Sequence, residues 1–526
     1  MQEDVMLLSM DKDIANFDLV MANKLRKAIA KTNAKDTIGE IKELFIQSGL
    51  NAGNRKEILE YVWNVQIAPQ LGYSFSISHV SGYSLILLQE MNLCYRYSPL
   101  FWKVACLSVN SGSINEEVTR GTDYGAIARA IGDMPKGFVL PPDINLSDSE
   151  FKPLEEENKA MYSLQAINGI GEELVKQIIE NRPYASFDDF LDKMLTTKII
   201  TPAKVYQLIK GGCFDRMNPD RVELMKYYVD KVTETKTKLT TSNIAKLSEY
   251  NLVPNEFQNH IVLFRFRKLV FSKENCVEMY NKTQGLYKIP DIAVEYFNKV
   301  CYRAFEETID YDCNGNLALK SKEFDKKYKE IMKPLNDWMA TDGALKCFNN
   351  YLRYLNWEKY CTGSVAKWEM DSICYYTDKH EMEEYDVEYY YPVVDFNSLP
   401  RETEKVSVMS RAGRMIKQFK LSVIAGTVVD KDKLKNTVTL NTKSGIVTIK
   451  LDKGRMAYYD RNVDDDKSWI TRGNKLVVIG YRKGEVFIPR VYSDSLYKHS
   501  IVKINGVEDG KVKFKLERSF KSEEEE

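Results

Sequence analysis

The chain is poor in histidine and lacks the cysteine pairs that commonly bind zinc. Its 526 residues include four histidines and nine cysteines, and no two cysteines form a Cys-x-x-Cys pair. Cys/His zinc sites and disulfide frameworks both need such clusters. The sequence therefore predicts neither, and unpaired cysteines favour a reducing compartment, so we expect a cytoplasmic protein.

Long apolar runs and a targeting signal are also missing. The apolar segment 82–107 contains Gln89, Glu90, Arg96 and Lys103, and it is broken at Pro99. The first twenty residues are acidic and lack the basic start and apolar centre of a secretory signal. We therefore expect no membrane span and no export.

The chain has no excess of charge of either sign. It carries 75 basic and 75 acidic side chains. A net charge of zero excludes a global attraction for nucleic acid, so any such binding must come from local patches.

The periodicity of apolar residues predicts a multidomain α+β protein. A chain of this length exceeds one ordinary core, and apolar residues recur at helical spacing through most of its first 400 positions. From about residue 421 the pattern alternates, as in "LSVIAGTVVDKD" and "KLVVIGYRKGEVFIPRVY". Some five short strands of this kind predict a small closed barrel of the OB type.

The most specific local motif is "INGIGEELVKQIIENR", at residues 167–182. Two glycines around one apolar residue form a tight turn, whose backbone N–H groups and following helix can approach a phosphate. A plain corner between two helices is the alternative. The stretch "LIKGGCF", at residues 208–214, offers a second glycine turn. The candidate DNA-binding residues are Gly169, Ile170, Gly171, Lys176, Lys210, Gly211 and Gly212.

Basic side chains cluster in "NKLRKAIAKTNAK", at residues 23–35. Arg26, Lys27 and Lys31 lie on a predicted helix, and several nearby cations suit a triphosphate or a nucleic-acid backbone. Without further context, a solvated helix face is the favoured interpretation.

His79 stands in "FSISHVSGY" beside Ser78. It could donate to a phosphate or act as a general acid. On spacing alone a satisfied structural histidine is favoured.

An acidic turn, "DYDCNGN" at residues 310–316, resembles the opening of a calcium-binding loop. The twelfth position of such a loop should be a bidentate Glu, and here it is Ser321. We therefore predict a polar turn and no metal site.

Several stretches, taken in order, resemble the C-family bacterial replicative DNA polymerases, the alpha subunit of DNA polymerase III. They are "QEDVM", "NKLRKAIAK", "GYSFSISHVSGYSLILLQEMNLCYRYSPLFW", "LPPDIN", "SLQAINGIGEELVKQIIENR", "LIKGGCFD", "WEMDSICYYTDKH" and "VIAGTVVDKD". The resemblance implies fingers at 1–137, a connector and tandem helix-hairpin-helix domain at 138–232 and an OB domain at 401–495. Helical periodicity predicts a helical insertion at 233–400, and the charge run at the end of the sequence predicts an extension with an acidic tail at 496–526.

The same resemblance assigns roles to residues. It implies that Arg26, Lys27 and Lys31 grip the triphosphate of an incoming deoxynucleotide, and that Ser78 and His79 lie next to the nascent base pair. Lys27 stands where that family usually has a second Arg.

The family's palm carboxylates have no counterpart in this sequence. They hold the catalytic Mg²⁺ ions and lie upstream of the fingers. The resemblance therefore implies no catalytic or metal-binding residue on this chain, and a palm-bearing N-terminal partner chain, as in a split phage or prophage gene.

Two functions follow from these patterns. The first is the C-terminal half of a DNA-directed DNA polymerase that binds primer-template DNA and deoxynucleotide in a bacterial or phage-infected cell. The alternative is a non-catalytic DNA-binding protein derived from such a polymerase. A sliding-clamp contact at "QNHIVLF", residues 258–264, is a further hypothesis, although an ordinary buried segment is favoured there.

Overall fold

The computed structural model divides the chain into two compact units, Met1–Lys103 and Val104–Glu526. It describes residues 2–29, 35–71, 76–111, 122–281, 284–409, 413–463, 466–492 and 496–518. Among these residues no helix is both long enough and apolar enough to cross a bilayer.

The first unit is helical, and its core is built from apolar side chains at helical spacing. Leu25, Phe45 and Ile67 are fully buried there. In α5, by contrast, no side chain is buried. The elements are α1 (Gln2–Met10), α2 (Leu19–Ile29), α3 (Lys35–Asn51), α4 (Lys56–Tyr61), a π-helical turn (Val62–Ile67), a 3₁₀ turn (Ala68–Gln70), α5 (Ile77–Arg96) and α6 (Pro99–Asn110), which runs on into the second unit.

Short helices and a small sheet open the second unit. Strand β3 pairs with β1 in parallel and with β2 antiparallel. The aromatic side chains of Phe187, Phe190 and Phe214 pack against one another between the helices. The elements are α7 (Tyr124–Gly132), β1 (Val139–Leu140), β2 (Lys152–Leu154), β3 (Lys159–Met161), α8 (Glu172–Glu180), α9 (Phe187–Leu195), α10 (Pro202–Lys210) and α11 (Arg221–Val232).

Residues 233–400 contain a four-stranded sheet besides the predicted helices, in the order β4-β5-β7-β6. These strands are three to six residues long, too short for a clear two-residue alternation. Phe297, Phe305 and Phe324 lie in the core of this segment.

The α-helices and strands of this segment are α12 (Ile244–Glu249), α13 (Gln258–Val270), β4 (Cys276–Asn281), β5 (Gln284–Lys288), α14 (Asp291–Tyr296), α15 (Tyr302–Phe305), β6 (Ile309–Tyr311), β7 (Leu317–Lys320), α16 (Ser321–Ile331), α17 (Lys333–Met339), α18 (Asp342–Tyr360) and α19 (Val365–Ser372). Its shorter turns are 3₁₀ or π-helical: Thr241–Asn243, Asn255–Phe257, Lys273–Asn275, Phe297–Cys301, Glu306–Thr308, Glu381–Glu384 and Phe396–Ser398.

The C-terminal region forms a closed five-stranded barrel. Its strands follow the order β10-β11-β12-β14-β13, and β13 pairs back onto β10. Strands β12 and β14 are parallel, and α20 joins β12 to β13. This is the topology of an OB-fold, which confirms the predicted fold class.

Gly480 lets two strands of the barrel approach closely, because a Cβ atom there would lie 2.1 Å from the carbonyl oxygen of Ile488. The elements are β8 (Lys405–Met409), β9 (Met415–Phe419), β10 (Ser422–Asp432), β11 (Thr437–Thr442), β12 (Gly445–Lys450), α20 (Lys453–Asp460), β13 (Lys475–Lys483), β14 (Val486–Pro489), β15 (Ile501–Glu508) and β16 (Lys511–Lys515).

Candidate functional site

The first glycine turn presents its backbone to solvent. Gly169 has φ +77°, a conformation that disfavours side chains, and Gly171 is the N-cap of α8 with extended backbone. Both glycines are exposed, and a Cβ atom on either would meet nothing within 4 Å. Ile170, between them, is 5% exposed and anchors the turn in the core. The turn can therefore admit a phosphate group at close range.

Hydrogen bonds to the C-terminal end of α19 fix the first glycine turn. The backbone N–H of Asn168 donates to the carbonyl of Ser372 at 2.8 Å, and its side-chain Nδ2 donates to the carbonyl of Asp371 at 3.0 Å. These bonds orient the two glycines outward. The one basic side chain of α8 is Lys176, which is exposed and follows the two glutamates of the first turn. It is therefore the cation of this helix that can contact a bound phosphate.

The second glycine turn is buried. Lys210 is 7% exposed, and its Nζ pairs with Asp371 Oδ2 at 3.2 Å. The N–H groups of Gly211 and Gly212 donate to the carbonyls of Gln207 and Ile209. The cation of Lys210 and the N–H groups of Gly211 and Gly212, for which the sequence predicts DNA contacts, are engaged inside the protein.

A buried ionic network joins the helix-hairpin-helix region to the segment that precedes the barrel. Arg221 makes a bidentate contact with Asp215, and its Nη1 donates to Glu369 Oε1 at 3.0 Å. Glu369 also accepts from the backbone N–H of Thr377 at 2.9 Å. Sequence reasoning missed this network, because its members lie up to 162 positions apart and carry no local pattern.

The predicted nucleotide-binding residues lie on two helices of the first unit. On α2, Arg26 is half-buried and donates from Nε to Asn23 Oδ1 at 3.1 Å, whereas Lys27 is exposed. Lys31 lies outside the described residues. The structure thus presents one exposed cation and one guanidinium that a neighbouring amide orients.

Ser78 and His79 lie in the first turn of α5. Ser76 is the N-cap of this helix, and its Oγ accepts from the backbone N–H of His79 at 3.3 Å. The His79 ring is exposed and lies 4.6 Å from the ring of Tyr83. Both side chains line an open surface groove of about 750 Å³ along α5. An aromatic and an imidazole at a helix start can receive a base and a phosphate.

Helix α7 packs on the outer face of the barrel. Arg129 donates from Nη1 to Thr439 Oγ1 on β11 at 3.0 Å, and a Cβ on Gly132 would lie 3.0 Å from Ile446 on β12. A cavity of about 570 Å³ lies between α7 and the β10–β11 turn. Two lysines at its rim, Lys431 and Lys433, pair with Asp460.

The acidic stretch at residues 310–316 and the clamp candidate at residues 258–264 lie in different parts of the second unit. Asp312 accepts from the backbone N–H groups of Asn314 and Asn316, as in the predicted polar turn. In the described part of the chain, no three His, Cys, Asp or Glu side chains converge to hold a metal ion. The clamp candidate begins α13, where Ile261 and Leu263 are buried in the core.

Residues 138–224 match the family model of the helix-hairpin-helix motif. Over 97% of its length the chain is 40% identical to the DNA-directed DNA polymerase of Bacillus phage SPbeta, and equally to "Probable DNA polymerase YorL" of Bacillus subtilis. It covers 40% of each relative, so it spans about two fifths of their length. Over 43% of its length it is 33% identical to the DNA polymerase III alpha subunit of Aquifex aeolicus, of which it covers 18%. The chain is therefore homologous to part of these DNA polymerases and itself contains a helix-hairpin-helix motif.

Proposed function

We propose that this chain supplies the fingers, the helix-hairpin-helix domain and the OB barrel of a DNA-directed DNA polymerase in DNA replication. The observation that carries this proposal is the exposed turn of Gly169 and Gly171 at the start of α8, in the region that the motif model matches. Such turns bind the DNA backbone without reading its sequence. The similarity over 97% of the chain to named DNA polymerases supports the assignment.

On this proposal, the first unit binds the incoming deoxynucleotide. Arg26 and Lys27 contact the triphosphate, with Lys31 continuing the same basic segment. Ser78 and His79 lie beside the nascent base pair. The guanidinium of Arg26 forms directed hydrogen bonds to phosphate oxygens, whereas Lys27 acts as a point charge.

The palm carboxylates and their Mg²⁺ ions belong, on this proposal, to a separate N-terminal polypeptide. The described residues do not fit a two-metal site, so we assign no metal-dependent step to this chain. Its own residues bind and orient the DNA and the nucleotide in the cytoplasm of a bacterial or phage-infected cell.

The DNA contact is tested with Gly171→Asp. Aspartate is a good N-cap, so α8 keeps its stability, while the added carboxylate repels phosphate at the turn. We expect at least tenfold weaker binding of a primer-template duplex, measured by fluorescence anisotropy. Gly343→Asp is the control, because it adds the same charge to the first turn of α18, where a Cβ atom meets nothing closer than 3.9 Å. Equal binding by the two variants would overturn the contact.

The catalytic part is tested by primer extension. We expect the chain alone to be inactive and a palm-bearing polypeptide of the same genome to restore synthesis. Failure of every such polypeptide, with DNA binding intact, would favour the non-catalytic DNA-binding protein.

A further inference from the structure

A basic β-hairpin precedes the barrel and is not part of the five-stranded OB sheet. Strands β8 and β9 pair antiparallel, with Lys405 opposite Phe419 and Met409 opposite Met415. Within residues 405–420 the sequence has five basic residues and no acidic one. Because the whole chain is neutral, this hairpin is a local concentration of positive charge.

The two faces of the hairpin differ. Residues paired across the ladder share a face, so Lys405, Ser407 and Lys417 lie on one face together with two methionines near the tip. Met409 and Met415 are 66% and 63% exposed. The opposite face carries Val406, Val408, Ile416 and Gln418, and Gln418 is buried. Val406 and Ile416 on that face are 41% and 38% exposed, so both faces of the ribbon are open to solvent away from its base, and Lys405, Ser407 and Lys417 are exposed on the basic one.

The base of the hairpin is fixed to the barrel. The ring of Phe419 stacks on Tyr481 of β13 with centroids 4.0 Å apart, and its backbone N–H donates to Tyr492 Oη at 3.0 Å. Lys405 Nζ lies 4.9 Å from the Phe419 ring centroid. The carbonyl of Arg401 accepts from Gly484 N in the β13–β14 turn. The ribbon thus projects from the barrel end that carries this turn. The β13–β14 turn joins the fourth and fifth strands of the barrel, and in OB-folds the loop at this position borders the nucleic-acid face.

We infer that the β8–β9 hairpin is a second DNA-binding element, which lies in the major groove of the duplex. Paired strands are about 4.8 Å apart, and the major groove, about 12 Å wide, admits a two-stranded ribbon. Lys417 and Lys420 reach the phosphates at the groove edge, and the exposed methionines supply apolar contact at the base edges. This inference rests on the proposed function, since it extends the DNA path from the α8 turn.

The test compares Lys417→Gln/Lys420→Gln with Lys322→Gln/Lys326→Gln, in the full chain. The control pair removes the same charge from exposed positions of α16. Binding of a 20-base-pair duplex and of the same single strand is measured by fluorescence anisotropy between about 50 and 200 mM salt. We expect the hairpin variant to bind duplex roughly one to two orders of magnitude more weakly at low salt, with a salt slope smaller by about 2. The control should match the unaltered chain.

The outcomes distinguish a failure of the proposed function from a failure of the hairpin inference. If the unaltered chain does not bind duplex, the proposed function itself fails. If it binds, and Gly171→Asp weakens binding while the hairpin variant does not, the inference alone is overturned. A loss confined to the single strand also overturns the groove assignment, and an unchanged salt slope overturns the phosphate contacts of Lys417 and Lys420.

Discussion

Arg221 and Glu369 form an ion pair in which both side chains are more than nine-tenths buried. Arg221 Nη1 donates to Glu369 Oε1 at 3.0 Å, and the two residues are 8% and 3% exposed. Arg221 belongs to α11, beside the second glycine turn, and Glu369 to α19, whose end holds the first turn. The pair therefore couples the orientation of the candidate DNA-binding turn to the segment that leads into the barrel.

Removal of one partner of this ion pair should lower the free energy of unfolding substantially. Glu369→Ala leaves the buried guanidinium without one of its two carboxylates, and we expect a loss of about 3 kcal/mol in the free energy of unfolding. Urea unfolding followed by circular dichroism measures it. The control is Glu295→Ala, which breaks an exposed pair with Lys299 and should cost less than about 1 kcal/mol. A similar loss of unfolding free energy in Glu369→Ala and Glu295→Ala would contradict the claim that burial makes the Arg221–Glu369 pair costly to break.

The second glycine turn should respond to a single added methyl group. A Cβ on Gly211 would lie 2.7 Å from Ser372 Oγ, which itself donates to the carbonyl of Gln207. We expect Gly211→Ala to lower the free energy of unfolding by about 1–3 kcal/mol through overpacking. Gly39→Ala, in the open middle of α3, should raise stability by about 0.5–1 kcal/mol. Thermal midpoints of the two variants should move in opposite directions.

His380 should make stability depend on pH. Its Nε2 lies 3.0 Å from the carbonyl of Asn441, its Nδ1 accepts from the N–H of Met382, and burial lowers its pKa from 6.5 to about 4. The unfolded chain therefore binds the proton more tightly, so stability is full above pH 6.5 and falls as the pH drops toward 4. We expect about 2 kcal/mol less stability at pH 5 than at pH 7.5.

The comparison is urea unfolding of the unaltered chain and of His380→Gln at the two pH values. The glutamine variant should lose this part of the pH dependence, although other acidic groups still titrate. Glu383 and Lys443 act on the same ring with opposite sign, so an unchanged pH dependence in the variant would assign the effect to another group.

The proposed nucleotide contacts predict a kinetic signature. In a reconstituted polymerase, Arg26→Ala should raise the KM for deoxynucleotide at least tenfold, because a charge-assisted contact to phosphate is lost. Lys27→Arg should preserve or lower that KM, since it adds a bidentate donor. Primer-extension rates at varied deoxynucleotide concentration measure both. An unchanged KM in Arg26→Ala would remove Arg26 from the triphosphate site.

The OB barrel and the first glycine turn could be predicted because their signals are local. The strand segments within residues 422–489 are rich in β-branched residues and are separated by polar turns, which is typical of short strands. Gly169 and Gly171 flank one apolar residue. At Gly169 the turn requires a positive φ, which glycine adopts without strain. The four-stranded sheet at 276–320 was missed, because its short strands are selected by packing against one core rather than by their own pattern.

By itself, the sequence determined the order of helical and alternating segments, since side-chain periodicity follows backbone geometry. It also determined the two glycine turns and the basic run at 405–420. The tertiary structure decided that the first turn is open and the second is buried. Helix α19, about 160–200 positions further along the chain, packs against the second turn and accepts hydrogen bonds from the residue before the first. Contacts between residues so far apart depend on how whole elements pack, and no local pattern encodes that choice.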